Sequence, residues 1–175
     1  MPLGPKDYNK YEKEMEEFTI EISDDPVSDE LTIFFENLSQ VNQYIQRVGT
    51  IELKALKNEH YYKKIYEDVK TAYENKFNKV MREHKEIQKK SSKDKRKAAA
   101  SAFLEDEAAS LLQASHEYDA AKTFRKMVHK KVEVLKDVGD KISRQITVVK
   151  QMIDIGLIDE HSSIIRRNDK GKGKE

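Results

Sequence analysis

Leu31, Phe34, Leu38, Val41, Ile45 and Val48 recur at spacings of 3, 4, 3, 4 and 3 residues, which aligns them along one seam of a helix. Phe35 widens the stripe. Asp25-Pro26, a capping side chain followed by a proline suited to the first helical position, predicts where this helix begins, with Ser28 as a competing cap. Gly49-Thr50 marks a candidate break, and Thr50 a cap for a second helix carrying Leu53 and Leu56. Tyr62, Ile65, Val69, Tyr73, Phe77, Val80 and Ile87 then keep an approximate 3.6-residue repeat, interleaved with Lys63, Lys64, Lys70, Lys76 and Lys79. The other face of that helix is therefore basic. Residues 88–97 (Gln-Lys-Lys-Ser-Ser-Lys-Asp-Lys-Arg-Lys) hold six bases and one acid with no apolar anchor, and read as a linker.

Beyond the linker, Leu104, Ala108, Leu111, Ala121, Val128, Val132, Leu135, Ile142, Ile146, Val149 and Ile153 follow mostly heptad-compatible spacing up to Gly156, a C′ residue by position. One helix over 98–156 would be about 90 Å long at 1.5 Å per residue, more than a small monomer is expected to cover. The pattern thus predicts either a break near Ser115 or packing against other chains. Gly139 falls on the seam between Leu135 and Ile142, where glycine costs about 1 kcal/mol relative to alanine. Close approach by a neighbouring helix explains it, and a tolerated weak spot explains it equally well. The expected fold is all-α: three to four amphipathic helices with a long C-terminal helical segment, assembled as a homo-oligomer through Val128, Val132, Leu135, Gly139, Ile142, Ile146, Val149 and Ile153. Residues 1–24 are expected to be an acidic, largely flexible segment with one short element around 11–22. Residues 25–156 form the helical oligomerisation and nucleic-acid-binding domain, and 157–175 a flexible basic tail.

Composition agrees with long solvated helices. Of 175 residues, 37% are apolar and 37% charged, there is no Trp, and the three prolines all lie within the first 26 positions. The absence of Cys excludes disulfides and thiolate metal sites and is compatible with a reducing compartment. No apolar run approaches the roughly 18 residues of a spanning helix, so a soluble, intracellular protein without a membrane span is expected. The net charge of +1 hides a strong asymmetry: residues 1–36 carry eleven acids against three bases, residues 37–97 sixteen bases against eight acids. Such a local field acts on polyanions within a Debye length of about 8–10 Å.

Catalytic constellations are poor. His60, His84, His116, His129 and His161 include no pair at i, i+4, and none stands three residues after a Glu, so zincin and di-iron helix patterns fail. There is no phosphate-binding or dinucleotide-binding glycine loop and no nucleophile elbow. Glu105, Asp106 and Glu107 diverge by 100° each on a helix and read as a solvated helix start. A non-enzymatic protein without cofactor or metal is expected.

The basic signal is stronger. Lys89, Lys90, Lys93, Lys95, Arg96 and Lys97 are suited to neutralise several phosphates with release of counterions, although a basic run standing alone is more often a solvated linker. The preceding helix adds Lys57, Lys63, Lys64, Tyr66 and Lys70. A positive track with aromatic faces is how single strands are bound without sequence preference. Tyr62 and Tyr73 are expected to pack, Tyr61 and Tyr66 to be exposed.

Three stretches occur in order behind this basic helix and hydrophilic linker: Ala-Ser-His-Glu-Tyr-Asp-Ala-Ala-Lys at 114–122, Lys-Val-Glu-Val-Leu-Lys at 131–136, and Ile142-Ser143-Arg144 followed by Val149-Lys150 and Met152-Ile153. Over residues 25–156 the arrangement resembles the UvsY recombination mediator family of tailed phages. The resemblance implies a ring-like oligomer that binds single-stranded DNA and helps load a recombinase in competition with a single-strand-binding protein, in the cytoplasm of a bacterial host. A coiled-coil scaffold or adaptor without nucleic-acid function is the main alternative, and a peripheral binder of anionic membrane surfaces a third.

Overall fold

The computed structural model describes residues 2–26 and 31–157. Within them lie five helices and no strand: α1 (Pro5–Glu16), α2 (Leu31–Glu83), α3 (Lys85–Gln88), α4 (Lys93–Phe103) and α5 (Glu105–Asp154). The protein is all-α with a long C-terminal helix, as its periodicity predicts. Two expected breaks are absent. α2 runs through Gly49-Thr50, where Thr50 Oγ1 donates to the Gln46 carbonyl (3.0 Å) instead of capping a new helix. One glycine costs about 1 kcal/mol, and the burial of Val48, Ile51 and Ala55 around it outweighs that. Near Ser115 α5 is likewise continuous; the chain leaves the helix earlier, at Leu104 (φ −114°, ψ 35°), and α5 then continues for 50 residues. At the other end Pro26 lies in a turn, Leu31 is the first described residue of α2, and Ser28 lies outside the described residues.

The chain forms two compact units, Met1–Tyr8 with Glu52–Met127 (unit 1) and Asn9–Ile51 with Val128–Glu175 (unit 2). In unit 2, Phe34, Val41, Ile142, Ile146 and Val149 form a buried cluster, with Ile20, Leu31, Leu38, Ile45, Val138 and Ile153 packed around it. Most of the residues expected to form an oligomer seam lie in this unit's interior. Val128, Val132, Leu135, Ile142, Ile146 and Val149 are buried within a single chain, and Ile142, Ile146 and Val149 of α5 pack with Phe34 and Val41 of α2. The repeat therefore carries no argument for assembly.

Gly139 is a point of close approach, the first of its two readings. A Cβ there would stand 3.3 Å from Val41 Cγ1 and 4.0 Å from Leu38 Cδ1. In Gly139→Ala the neighbour must yield a few tenths of an ångström while the helix gains about 1 kcal/mol of propensity, so its stability stays within about 1 kcal/mol of the parent. Gly139→Leu has no room for its side chain and loses about 2–3 kcal/mol or more. Urea melts of the two variants check this; equal midpoints would show that the contact is loose.

The acidic N-terminal segment, expected to be largely flexible, is instead helical and docked. Gly4 and Pro5 open α1: Pro5 takes the first helical position, where its missing N–H is no loss, and Asp7 Oδ2 accepts from the Gly4 N–H (2.9 Å) in half of a capping box. In unit 1, Tyr8 stacks on Phe124 at 4.5 Å. Asn58 accepts from the Leu3 N–H (2.7 Å) and donates to the Leu3 carbonyl (3.2 Å) and to Tyr8 Oη (2.6 Å). In unit 2, Met15 is buried, Arg47 donates to both carboxylate oxygens of Glu14, Phe18 stacks on Tyr44 at 4.6 Å, and Gln145 Nε2 donates to the Ser23 carbonyl (2.7 Å).

α5 ends as its sequence predicts. Gly156 has φ +72°, the Leu157 N–H donates to the Met152 carbonyl and the Gly156 N–H to the Ile153 carbonyl, both at 2.9 Å, which is the Schellman arrangement. The basic tail beyond lies outside the described residues.

Candidate nucleic-acid interface

Every candidate binding residue falls in unit 1. The two units differ in charge: unit 1 has nineteen Lys and Arg against fourteen Asp and Glu, unit 2 fourteen against eighteen. Lys57, Lys63, Lys64, Lys70, Lys89, Lys90, Lys93, Lys95 and Lys97 are exposed, while Tyr66 and Arg96 are half-buried. Lys63 lies 3.8 Å from Glu67, one turn on, a surface pair of small energetic weight. Among the described residues the other candidate cations have no carboxylate within 4.0 Å. Their charge is not neutralised by the fold.

Residues 88–97 are not an unanchored linker. α2 ends where His84 adopts an extended backbone (φ −82°, ψ 102°), and its ring packs on Phe103 at 4.8 Å. Ile87, Ala100 and Leu104 are buried, so apolar residues on both sides of the basic run fix it. Ser92 then caps α4, its hydroxyl oxygen accepting from the Lys95 N–H at 3.2 Å. Lys93, Lys95, Arg96 and Lys97 consequently occupy the opening turns of α4, with Asp94 as the one acid among them. Cations there face the positive end of the helix dipole, which costs a few tenths of a kcal/mol to about 1 kcal/mol each at an exposed site. An incoming phosphate relieves both the dipole and the mutual repulsion of these side chains.

The carboxylate cluster Glu105, Asp106 and Glu107 is the acidic first turn of α5, the favourable arrangement. Lys76 donates to Glu107 Oε1 at 2.8 Å, and that hydrogen bond holds the Glu107 carboxyl below its ordinary range. Arg125 pairs with the nearly buried Glu59 at 2.9 Å. Neither pair uses a candidate cation. Among the described residues no three of His, Asp or Glu converge as a metal site would require, and His161 lies outside them.

The tyrosines divide nearly as expected. Tyr62 is half-buried and donates to the Leu3 carbonyl (3.3 Å), Tyr73 is half-buried beside Phe77 at 6.0 Å, and Tyr61 is exposed. Tyr66, expected to be free, lies parallel to Tyr118 of α5 with ring centroids 5.9 Å apart, and Lys122 Nζ is 5.9 Å from the Tyr118 centroid. Sequence reasoning missed Tyr118 and Lys122. The available signal was their i, i+4 spacing, which puts a cation over a ring on one helix face.

No described helix is long and apolar enough to cross a membrane. Comparison with protein-family models, with curated proteins and with solved structures finds no match to this chain.

Proposed function

We propose that the protein is a non-enzymatic binder of single-stranded DNA that acts as a recombination mediator, engaging the strand through the exposed cations of unit 1. The observation that carries the DNA-binding part is the set of lysines without internal carboxylate partners, held on helices α2 and α4 and in the turn between α3 and α4. Fixed cations take several phosphates at once without ordering a flexible arm, so the entropic cost of binding is low. The mediator role, with a recombinase and a single-strand-binding protein as partners, rests on the resemblance to the UvsY family. Assembly of several subunits would multiply these weak contacts by avidity, through surfaces other than the buried α5 seam.

Binding to oligo(dT), duplex DNA and anionic vesicles at two salt concentrations tests the proposal. Preference for the single strand with a steep salt dependence supports it; equal affinity for duplex, or binding to vesicles alone, overturns it. A scaffold role is favoured by one other observation: between Glu59 and Ile87 no residue is buried, although Tyr62, Ile65, Val69, Tyr73 and Phe77 are half-buried along α2. A partner helix covering these residues would complete their burial, and failure to bind any nucleic acid would leave this reading in place.

Lys95 gives a sharper test. It is the third helical residue after the Ser92 cap, where Glu would complete a capping box. Lys95→Glu should raise thermal stability slightly, by about 0.5–1 kcal/mol, and weaken oligo(dT) binding several-fold. A parallel loss of stability and affinity would mean that Lys95 matters only to folding.

A further inference from the structure

We propose that Tyr66 and Tyr118, with Lys122, form a stacking site for an unpaired nucleobase, which makes unit 1 selective for single strands. The inference rests on the polyanion-binding reading above and adds to it the contact that distinguishes a base from a phosphate. The two rings are near-parallel, 16° between planes, with centroids 5.9 Å apart. Both side chains are half-buried: packed enough to be oriented, open enough to present ring surface. Neither hydroxyl is hydrogen-bonded among the described residues, so the pair is held by ring packing and by Lys122 over Tyr118.

Cations surround the pair on both helices. Lys63 and Lys70 lie one turn before and one turn after Tyr66 on the same face of α2, both exposed, and Lys122 stands over the Tyr118 ring. Lys63 is held by Glu67 at 3.8 Å, which leaves Lys70 and Lys122 as the cations without a carboxylate within 4.0 Å. A base that extends the two-ring stack carries its own phosphates 5′ and 3′ within reach of these lysines. Aromatic faces accept any base, so the site has no sequence preference. A duplex keeps its bases stacked on one another and offers only its backbone to the lysines.

The contrast between Phe and Leu replacements isolates the rings. Tyr66→Phe/Tyr118→Phe keeps the stack; Tyr66→Leu/Tyr118→Leu keeps apolar volume and removes it. With oligo(dT), the Phe pair should bind like the parent and the Leu pair about ten-fold or more weaker. With an abasic oligonucleotide of the same length, which has only sugar and phosphate, all three proteins should bind equally. The chain has no Trp, so tyrosine fluorescence provides a second readout: oligo(dT) should quench it in the parent and the abasic strand should not. Equal oligo(dT) affinity of the Leu pair and the parent, or the same quenching by both strands, overturns the stacking site while leaving phosphate binding intact. No binding of either strand by the parent overturns the DNA-binding proposal itself. Should the Leu pair unfold, the parent's quenching contrast decides alone.

Discussion

Charge reversal of Lys89, Lys90, Lys93 and Lys97 together should lower affinity for oligo(dT) by about two to three orders of magnitude at low salt. Each phosphate contact on a single strand contributes about 0.7 to the slope of log affinity against log salt, so loss of four contacts should flatten that slope by about 3. All four side chains are exposed and without carboxylate partners among the described residues, so their replacement disturbs no internal ion pair. Reversal of Lys64 and Lys70, also exposed and without carboxylate partners among the described residues, should act in the same way, and adding Lys63 would in addition break its pair with Glu67. A flexible arm would behave differently: its reversal would slow association and change the final affinity little. Titrations at several salt concentrations, with stopped-flow association rates, separate these outcomes.

Tyr8→Ala should destabilise unit 1 by about 3–5 kcal/mol, the range for removing a buried aromatic. Tyr8 is 8% exposed, loses its stack on Phe124, and leaves the buried Asn58 amide without one of its acceptors. Tyr8→Phe keeps the stack and removes only the hydroxyl, so about 1–2 kcal/mol is expected. A melt of Tyr8→Ala coincident with that of the parent would show that the N-terminal segment adds nothing to the core. Burial also raises the pKa of Tyr8, and of Tyr62, above the ordinary 10.0. Each phenol is thus held more strongly in its neutral form by the folded chain than by the unfolded one. This stabilisation is fully present below pH 10 and is lost as pH rises through the folded values, so alkaline melts should fall more steeply for the parent than for Tyr8→Phe.

The long helices were legible because Phe34, Val41 and Val48, and likewise Val128, Leu135, Ile142 and Val149, repeat over several heptads. A pattern that long leaves little choice of structure. Gly156 was legible from its place after the last apolar residue. The covering surface was not: periodicity says that a face is apolar and is silent on whether the same chain or another one buries it, so α2 went unrecognised as the partner of α5. In α1 the buried positions are Tyr8 and Met15 alone, a single heptad among acids, too short to stand out from a solvated run. At the candidate interface, the cations were visible as composition, whereas the meeting of Tyr66 with Tyr118 depends on two helices being in register, which neither segment encodes by itself.

Both units are built from separated stretches of chain, and this bears on the order in which they fold. Lys76 and Glu107, paired in unit 1, are 31 residues apart, while Ser23 and Gln145 in unit 2 are separated by 122. Loop closure grows costlier with the length of chain enclosed, although only logarithmically, and contacts that close short loops form earlier. The closures across α3 and α4 in unit 1 and between Phe18 and Tyr44 in unit 2 should therefore form before the contacts that join distant stretches of chain, Tyr8 with Phe124 and Ser23 with Gln145. Substitutions at Ile87 or Ala100 should slow folding, whereas those at Phe34 or Val149 should chiefly hasten unfolding.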